Sequence, residues 1–194
     1  MKTLALTGHR PKDLGGYDEN NLTAQTVKAY LKKLLTFACQ TEYTTFIIGM
    51  AQGIDQWAGE ILIDLKKQYP DIKIIAAVPF AQQAKAWPGE SGWQRWLSIL
   101  QGCDEIHLTD IFEQVTIEEL CDLANEPNPS PKYVISKKLN DRNKWMVDRA
   151  DSILAVWKGT SGGTGNCVQY ALSKNKNIYV YDPNTNSVSK YNVA

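Results

Sequence analysis

A run of small residues late in the chain carries the clearest chemical signal. Four glycines lie between Gly159 and Asn166, and the segment leads into an amphipathic stretch that is typical of a helix. Small residues at a helix start expose backbone N–H groups, and the helix dipole adds positive potential there. The run fits neither the Walker A motif nor the GxGxxG spacing, yet it favours phosphate binding over a flexible turn. The predicted ligand-binding residues are Ser161, Gly162, Gly163, Thr164, Gly165 and Asn166.

A second candidate loop follows the first apolar run of the chain. Gly8 permits close approach of the backbone to a ligand, and Arg10 can hold a phosphate through two parallel hydrogen bonds. His9 titrates near neutral pH and is a candidate acid or base. The competing interpretation is a turn that carries a solvated arginine. The residue types favour ligand binding for Gly8 and Arg10, and they leave both interpretations of His9 open.

A third candidate loop lies between the second apolar run and a helical pattern. It contains Gly49, Gln52 and Gly53, and Asp55 falls in the first turn of the predicted helix. A glycine-flanked helix start is an anion site, so all four residues are predicted to bind ligand. Asp55 has two interpretations, because it either complements the helix dipole or binds ligand hydroxyls.

Aromatic residues follow the third apolar run. Phe80 and Trp87 are predicted to stack on a base beside the phosphate site. Tryptophans more often anchor a core or an interface, and this remains the competing interpretation.

Six short apolar runs supply the strands that position these loops. Most of them are continuously apolar, which is typical of strands covered on both faces in a parallel sheet. The runs are residues 4–6, 46–48, 72–78, 106–108, 153–157 and 178–181. Helical spacing of apolar residues between them predicts helices within 27–38, 54–65, 139–150 and 168–172. The alternation predicts an α/β fold, namely a Rossmann-like, doubly wound, mostly parallel sheet with helices on both faces.

The domain organisation follows from length and from the prolines. We expect residues 1–194 to form a single nucleotide-binding domain. Three prolines within residues 125–131 block both helix and strand, which predicts an exposed loop. That loop is either an ordinary surface connection or a lid over the pocket.

Composition narrows the class of partner and the compartment. The chain has 21 basic and 21 acidic residues, so no chain-wide basic field favours nucleic acid. The four cysteines and two histidines lack metal-site spacing, so we expect neither a metal nor a disulfide framework. No apolar run is long enough to span a membrane and none resembles a signal peptide, so we expect a cytoplasmic protein.

The motifs together resemble the SLOG superfamily, which joins the DNA-uptake protein DprA with the cytokinin-activating LOG enzymes. The resemblance runs from Thr7 to about Tyr181 and is greatest to the YpsA-like branch. It rests on motifs at 7–11, 49–55, 79–87, 142–148 and 162–164. It implies that Arg142 and Asn143 belong to the ligand site, and Arg142 is then a candidate catalytic residue beside Asp55 and His9, which their residue types suggest for proton transfer.

The same resemblance also gives a reason to doubt one activity, cleavage of an N-glycosidic bond. LOG enzymes cleave the N-glycosidic bond of a nucleoside monophosphate with a glutamate that follows their glycine run. The corresponding residue here is Gln169. A neutral amide cannot accept a proton or stabilise an oxocarbenium-like charge as a carboxylate does.

Three functions are therefore weighed. The first is binding or sensing of a nucleotide or an ADP-ribose-like phosphate ligand, with no cofactor. The alternative is an N-glycosidase or other hydrolase acting on such a ligand. Single-stranded DNA binding, as in DprA, is disfavoured by the balanced charge. The resemblance also implies a homo-oligomer, with a dimer favoured.

Overall fold

The computed structural model describes residues 1–87 and 90–192, and the element bounds follow from it. Within these residues the chain forms eight strands and six helices. They are β1 Lys2–Gly8, α1 Leu22–Cys39, β2 Tyr43–Ile48, α2 Ile54–Lys66, β3 Lys73–Val78, α3 Glu90–Gln101, β4 Glu105–Leu108, β5 Glu113–Gln114, α4 Ile117–Asn125, α5 Lys132–Arg149, β6 Ser152–Val156, α6 Gly163–Ser173, β7 Asn177–Asp182 and β8 Ser187–Tyr191. Two 3-10 turns, Pro11–Asp13 and Ala81–Ala86, follow β1 and β3.

All eight strands form one sheet in the order β5-β4-β3-β2-β1-β6-β7-β8. Six of them, β4, β3, β2, β1, β6 and β7, run parallel, while β5 and β8 pair antiparallel at the two edges. The order β3-β2-β1-β6-β7 is that of a doubly wound sheet, with the direction of winding reversed between β1 and β6. The predicted Rossmann-like, mostly parallel fold is confirmed.

Alternate residues of one strand enter two separate cores, which places helices on both faces of the sheet. Leu4 and Leu6 pack with α1, α2, α3 and α4 on one face. Ala5, which lies between them, packs with α5 and α6 on the other. This alternation follows from the two-residue period of a strand, and it explains why the strands read as continuous apolar runs.

Four elements were not predicted from the sequence. The helix α4 begins with a capping box in which Thr116 and Glu119 satisfy each other's backbone N–H groups. The helix α3 buries only Trp96, Ile99 and Leu100, so its apolar stripe is narrow. The strand β8 is exposed throughout and β5 has only two residues, so neither has a burial pattern to detect.

The proline-rich segment connects α4 to α5 without helix or strand over residues 126–131. The chain just before it is held in place, because the Gln82 amide donates to the carbonyls of Leu123 and Glu126 at 2.6 and 3.1 Å. None of the described residues that line the cleft considered below comes from residues 125–131. The structure therefore gives this segment the geometry of a surface connection.

Candidate functional site

A cleft of about 550 Å³ opens at the carboxyl ends of β1 and β6, where the winding of the sheet reverses. This is the position at which doubly wound sheets bind ligands, and the volume lies in the range of small-molecule sites. Four segments line it: the end of β1 with the following 3-10 turn, the start of α2, the middle of α5, and the glycine run before α6.

A buried ion pair joins α5 to α2 at the cleft. Arg142 Nη1 lies 3.5 Å from Asp55 Oδ2, and both side chains are less than a tenth exposed. Asp55 Oδ2 also accepts the Ala51 N–H at 3.2 Å, and Arg142 Nε donates to Asn143 Oδ1 at 2.9 Å. Among the described residues, Arg142 Nη1 is buried with no hydrogen-bond partner. Nη1 is enclosed by Gly49 and Asp55, so the 3.5 Å ion pair is the contact that compensates its charge there.

Gly49 makes this ion pair possible. A Cβ at Gly49 would lie 2.0 Å from Arg142 Nη1 and 2.7 Å from Asp55 Oδ2. Any side chain there would displace the guanidinium. The next residue, Met50, has a φ of 61°, an unusual backbone conformation for a non-glycine residue. It precedes the Ala51 N–H that binds Asp55.

The charges of the cleft are unbalanced in favour of an anion. Burial raises the pKa of Asp55, against the opposing effects of Arg142, Arg10 and the Ala51 N–H. Burial also lowers the pKa of Arg142, where Asp55 opposes the shift and the like charge of Arg10 adds to it. Two arginines thus act on one carboxylate in a desolvated place. A bound anion would add a second negative charge beside the two arginines.

His9 is fixed as an acceptor rather than available as a base. Its ring is buried, and Nε2 accepts the backbone N–H of Lys158 at 2.9 Å. Nδ1 therefore carries the proton, and it faces Asp13 Oδ2 at 3.9 Å. Burial lowers the pKa of His9, with Asp13 opposing the shift and Lys158 adding to it. The imidazole is neutral near pH 7, and its one acceptor nitrogen already accepts the Lys158 N–H.

The glycine run forms the wall of the cleft opposite the β1 loop. Gly162 precedes α6 with φ 134° and ψ −168°, a conformation available only to glycine, and no side chain among the described residues caps the helix. The first intrahelical bond runs from the Asn166 N–H to the Gly162 carbonyl at 2.8 Å. The N–H groups of residues 163–165 precede that bond, as at any helix start, so they are free to bind an acceptor.

Two contacts hold the glycine run in place from either side. Asn143 Nδ2 donates to the Gly163 carbonyl at 3.3 Å, which ties the run to α5. Trp157 Nε1 donates to the Thr160 carbonyl at 2.7 Å. A Cβ at Gly165 would lie 2.7 Å from that same carbonyl, so the tight turn requires glycine there.

Most of the residues predicted to bind ligand meet in this cleft. Those that line it are Gly8, His9, Arg10, Asp55, Arg142, Asn143, Ser161, Gly162, Gly163, Thr164, Gly165 and Asn166. Gly49 and Gly53 lie behind it, where Gly53 has a φ of 90° and packs against the His9 carbonyl. Arg142 and Asp55 are paired with each other, as described above.

The structure does not bring Gln52, Phe80 and Trp87 to the cleft lining. Phe80 is buried under Lys138, whose Nζ lies 5.9 Å from the ring centroid. Trp87 packs against the core on the face of the sheet that α1, α2, α3 and α4 cover, and it lies beside Gly92. Gln169, at the position of the LOG glutamate, is exposed on α6 and is also absent from the lining.

The cleft also contains residues that the loops alone did not reveal. Lys12 and Asp13 come from the 3-10 turn after Arg10, and Ser136, Leu139 and Asn140 come from α5. The α5 residues precede Asn143 by seven, four and three positions, which is the spacing of one helix face. Cys167 is buried in the core, where burial raises its pKa to about 11, so it is a packing residue.

Neither a metal site nor a membrane span is evident in the described part of the chain. No group of three or more His, Cys, Asp or Glu residues there is arranged to hold a metal ion. Within residues 1–87 and 90–192, no helix combines the length and the apolar character that crossing a bilayer requires.

The strand order and the cleft at the β1–β6 reversal define a Rossmann-like α/β protein. The sequence model of the YpsA family, described as the YspA SLOG family, matches residues 4–188. The chain belongs to this family, which confirms the resemblance drawn from the motifs.

Two relatives have names that state no activity. A UPF0398 protein of Bacillus thuringiensis (strain Al Hakam) is 24% identical over 181 residues, which cover 93% of this chain and 88% of that protein. The uncharacterized SPbeta prophage-derived protein YoqJ of Bacillus subtilis (strain 168) is 36% identical over 127 residues, covering 65% and 68%.

Two solved structures share the fold. DNA processing protein A (DprA) from Streptococcus pneumoniae has a TM-score of 0.57 at 14% identity, covering 93% of this chain and 50% of that chain. DprA from Helicobacter pylori has a TM-score of 0.53 at 15% identity, covering 92% and 64%. This chain thus spans only part of each neighbour.

The second neighbour bears on the expectation about nucleic acid. The Helicobacter pylori protein is described by its single-stranded DNA binding mode. Since a protein of this fold binds DNA, balanced net charge is not sufficient ground for setting nucleic acid aside. A sequence identity of 15% shows only that the two proteins share a fold, so DNA binding is a property of that neighbour.

Proposed function

We propose that the cleft binds a nucleotide-type phosphate ligand, with its phosphate between the start of α6 and Arg142. One observation carries the proposal: Arg142 lines the same cleft as the glycine start of α6, which no side chain among the described residues caps. The two features are independent, and both stabilise a negatively charged oxygen.

Space and charge at the glycine run also favour a phosphate. A Cβ at Gly163 would meet no atom within 4 Å, so the fold itself does not require a glycine there. Arg10 and Lys12 line the facing wall. The side chain of Arg10 makes no ion pair or hydrogen bond within residues 1–87 and 90–192, so it is available to the ligand. A phosphate placed between these walls gains a helix start, two arginines and a lysine.

Hydrolysis of the ligand has less support. His9 has its acceptor nitrogen occupied by the Lys158 N–H, Asp55 is paired with Arg142, and Gln169 lies outside the lining. Binding or sensing is therefore the function that the cleft supports best. The alternative of a nucleotide hydrolase remains a prediction from the family resemblance.

Calorimetry with a graded panel tests the proposal. The panel is inorganic phosphate, adenosine, ribose 5-phosphate, AMP, ADP-ribose and a single-stranded oligonucleotide. We expect phosphate-bearing ligands to bind and adenosine to bind at least about tenfold more weakly than AMP, since the phosphate supplies the charge-assisted hydrogen bonds. Preference for the oligonucleotide over every mononucleotide would favour the DNA function instead.

Matched variants locate the binding. Arg142→Gln and Arg10→Gln each remove one cleft charge, and we expect each to weaken AMP binding by about 10- to 100-fold. Arg149→Gln is the control, because Arg149 lies on the same helix, exposed and stacked 4.0 Å from the Trp145 ring centroid, away from the cleft. Arg10→Gln removes no hydrogen bond or ion pair of the described residues, and so keeps the test valid if Arg142→Gln unfolds. Folded wild-type protein that binds nothing in the panel would overturn the proposal.

A further inference from the structure

A second hollow lies beside the cleft, between α5 and α6. It has a volume of about 230 Å³ and is lined by Asn140, Asn143, Lys144, Asn166, Cys167 and Tyr170. Three of these, Asn140, Asn143 and Asn166, also line the cleft. The two hollows are therefore continuous, and the groove runs from the start of α6 along that helix.

The groove and the cleft present different surfaces. The cleft exposes mainly nitrogen and oxygen atoms, whereas carbon forms most of the exposed wall of the groove. The half-buried Tyr170 lines the groove, and its hydroxyl donates to the Asp148 carboxylate at 3.0 Å. That bond fixes the ring, and the ammonium groups of Lys144 and Lys174 lie 5.9 and 5.2 Å from its centroid. A flat, uncharged group suits this wall better than a second phosphate does.

The amides of the groove supply the polar recognition that such a group needs. Asn143 is fully engaged, since it accepts from Arg142 Nε and donates to the Gly163 carbonyl. The side chains of Asn140 and Asn166 have no hydrogen-bond partner among the described residues. Each offers one acceptor and two donors. A nucleobase edge carries donors and acceptors side by side, whereas a phosphate carries only acceptors.

We infer that the α5–α6 groove is a base subsite, which receives the nucleobase of the ligand whose phosphate lies at the start of α6. The inference rests on the proposed function and deepens it. The ligand class becomes a nucleoside phosphate that is recognised at both its phosphate and its base. The cleft holds the phosphate and sugar, and the groove holds the base between the amides and the Tyr170 ring. Among the described residues that line the groove, Lys144 is the one cation, and Lys174 Nζ lies 5.2 Å from the Tyr170 ring centroid.

The test compares a ligand with its base and a ligand without it. Wild-type protein is titrated with AMP and with ribose 5-phosphate, and we expect AMP to bind about tenfold more tightly. Tyr170 lines the groove but not the cleft, so Tyr170→Leu should remove about tenfold from AMP affinity and change ribose 5-phosphate affinity by less than about twofold. Asn140→Leu should also reduce the advantage of AMP. Tyr133→Leu is the control, because Tyr133 is exposed on the same α5 helix outside the groove.

The outcomes separate the subsite from the proposed function. Equal affinities for AMP and ribose 5-phosphate in the wild type would overturn the base subsite and leave phosphate binding in place. If Lys144→Ala weakens inorganic pyrophosphate while Tyr170→Leu leaves AMP unchanged, the groove takes a second phosphate and the inference is wrong. Failure of both sugar phosphates to bind folded wild type would overturn the proposed function, and the subsite with it.

Discussion

Two helices, α2 and α6, begin at glycines on the same edge of the sheet. Of these two, only the α6 start is open, which means that its first N–H groups have no partner among the described residues. At α2, the Ile54 N–H donates to the His9 carbonyl at 3.3 Å, and Asp55 Oδ2 accepts the Ala51 N–H. At α6, no side chain among the described residues caps the helix, and a Cβ at Gly163 would meet nothing within 4 Å. The chain itself closes the first start and leaves the second free.

The comparison separates two reasons for a glycine at a helix start. Gly53 is required by the fold, since its φ is 90° and a Cβ would lie 2.6 Å from the His9 carbonyl. Gly162 is required by its own backbone conformation. Gly163 is required by neither, and the empty space in front of it faces the cleft. A glycine that the fold does not need is the better indicator of a ligand.

The largest expected effect concerns the closed start. Arg142→Ala should destabilise the protein by about 3–5 kcal/mol, because it leaves Asp55 buried without its partner. Urea unfolding followed by tryptophan fluorescence measures this. Arg149→Ala, on the exposed side of α5, should cost no more than about 1 kcal/mol.

A double variant checks the cause of that loss. Replacing both partners, as Asp55→Leu with Arg142→Met, should recover part of the stability because no unpaired charge remains buried. If Arg142→Ala costs no more than Arg149→Ala, Asp55 does not depend on Arg142 as its buried partner in the way described.

The next effect compares the two starts directly. Gly53→Ala should destabilise by about 1–3 kcal/mol, since alanine at a φ of 90° would meet the His9 carbonyl. Gly163→Ala should change stability by about 0.5 kcal/mol or less, yet weaken AMP binding by at least about tenfold, because the added methyl occupies the ligand space. Thermal unfolding and calorimetry on the same samples measure both quantities. Equal stability losses at the two positions, or an unchanged AMP affinity in Gly163→Ala, would break the distinction between closed and open starts.

The sequence predicted the sheet and the loops better than it predicted their partners. Six continuous apolar runs sufficed for the parallel strands, because burial on both faces leaves a clear signature. The capping box of Thr116 and Glu119 would have predicted α4. The exposed strand β8 has no such pattern, since all five of its residues are exposed.

The site was predictable wherever a signal is local. The glycine run and Arg10 precede or follow strands, and parallel strands bring their carboxyl ends to one edge. The Arg142–Asp55 pair is different, because it depends on β6 lying beside β1, which no local pattern specifies. The same holds for Phe80 and Trp87, which follow β3, and β3 lies two strands away from β1 in the sheet.

The smallest expected effect concerns His9, which connects the two starts. Its carbonyl accepts the Ile54 N–H at the closed start, and its ring accepts the Lys158 N–H in the segment that leads to the open one. Because burial lowers the folded-state pKa of His9, the unfolded chain binds more protons between the two pKa values. Stability is therefore complete above the unfolded-state pKa of about 6.5 and declines as the pH falls below it, by at most about 1.4 kcal/mol per pH unit.

Two measurements separate this effect from other titrations. His9→Ala should flatten the decline in stability between pH 7 and 5, whereas His107→Gln, which removes the only other histidine, should retain it. Amide hydrogen exchange resolves the location. Protonation of the ring displaces the Lys158 N–H but leaves the carbonyl of His9 in place. Exchange at Lys158 should thus accelerate on acidification, relative to its intrinsic rate, more than exchange at Ile54 does. Equal acceleration at the Lys158 and Ile54 amides would mean that protonation of His9 opens the α2 start and the segment before α6 together. The open start would then open no more readily than the closed one.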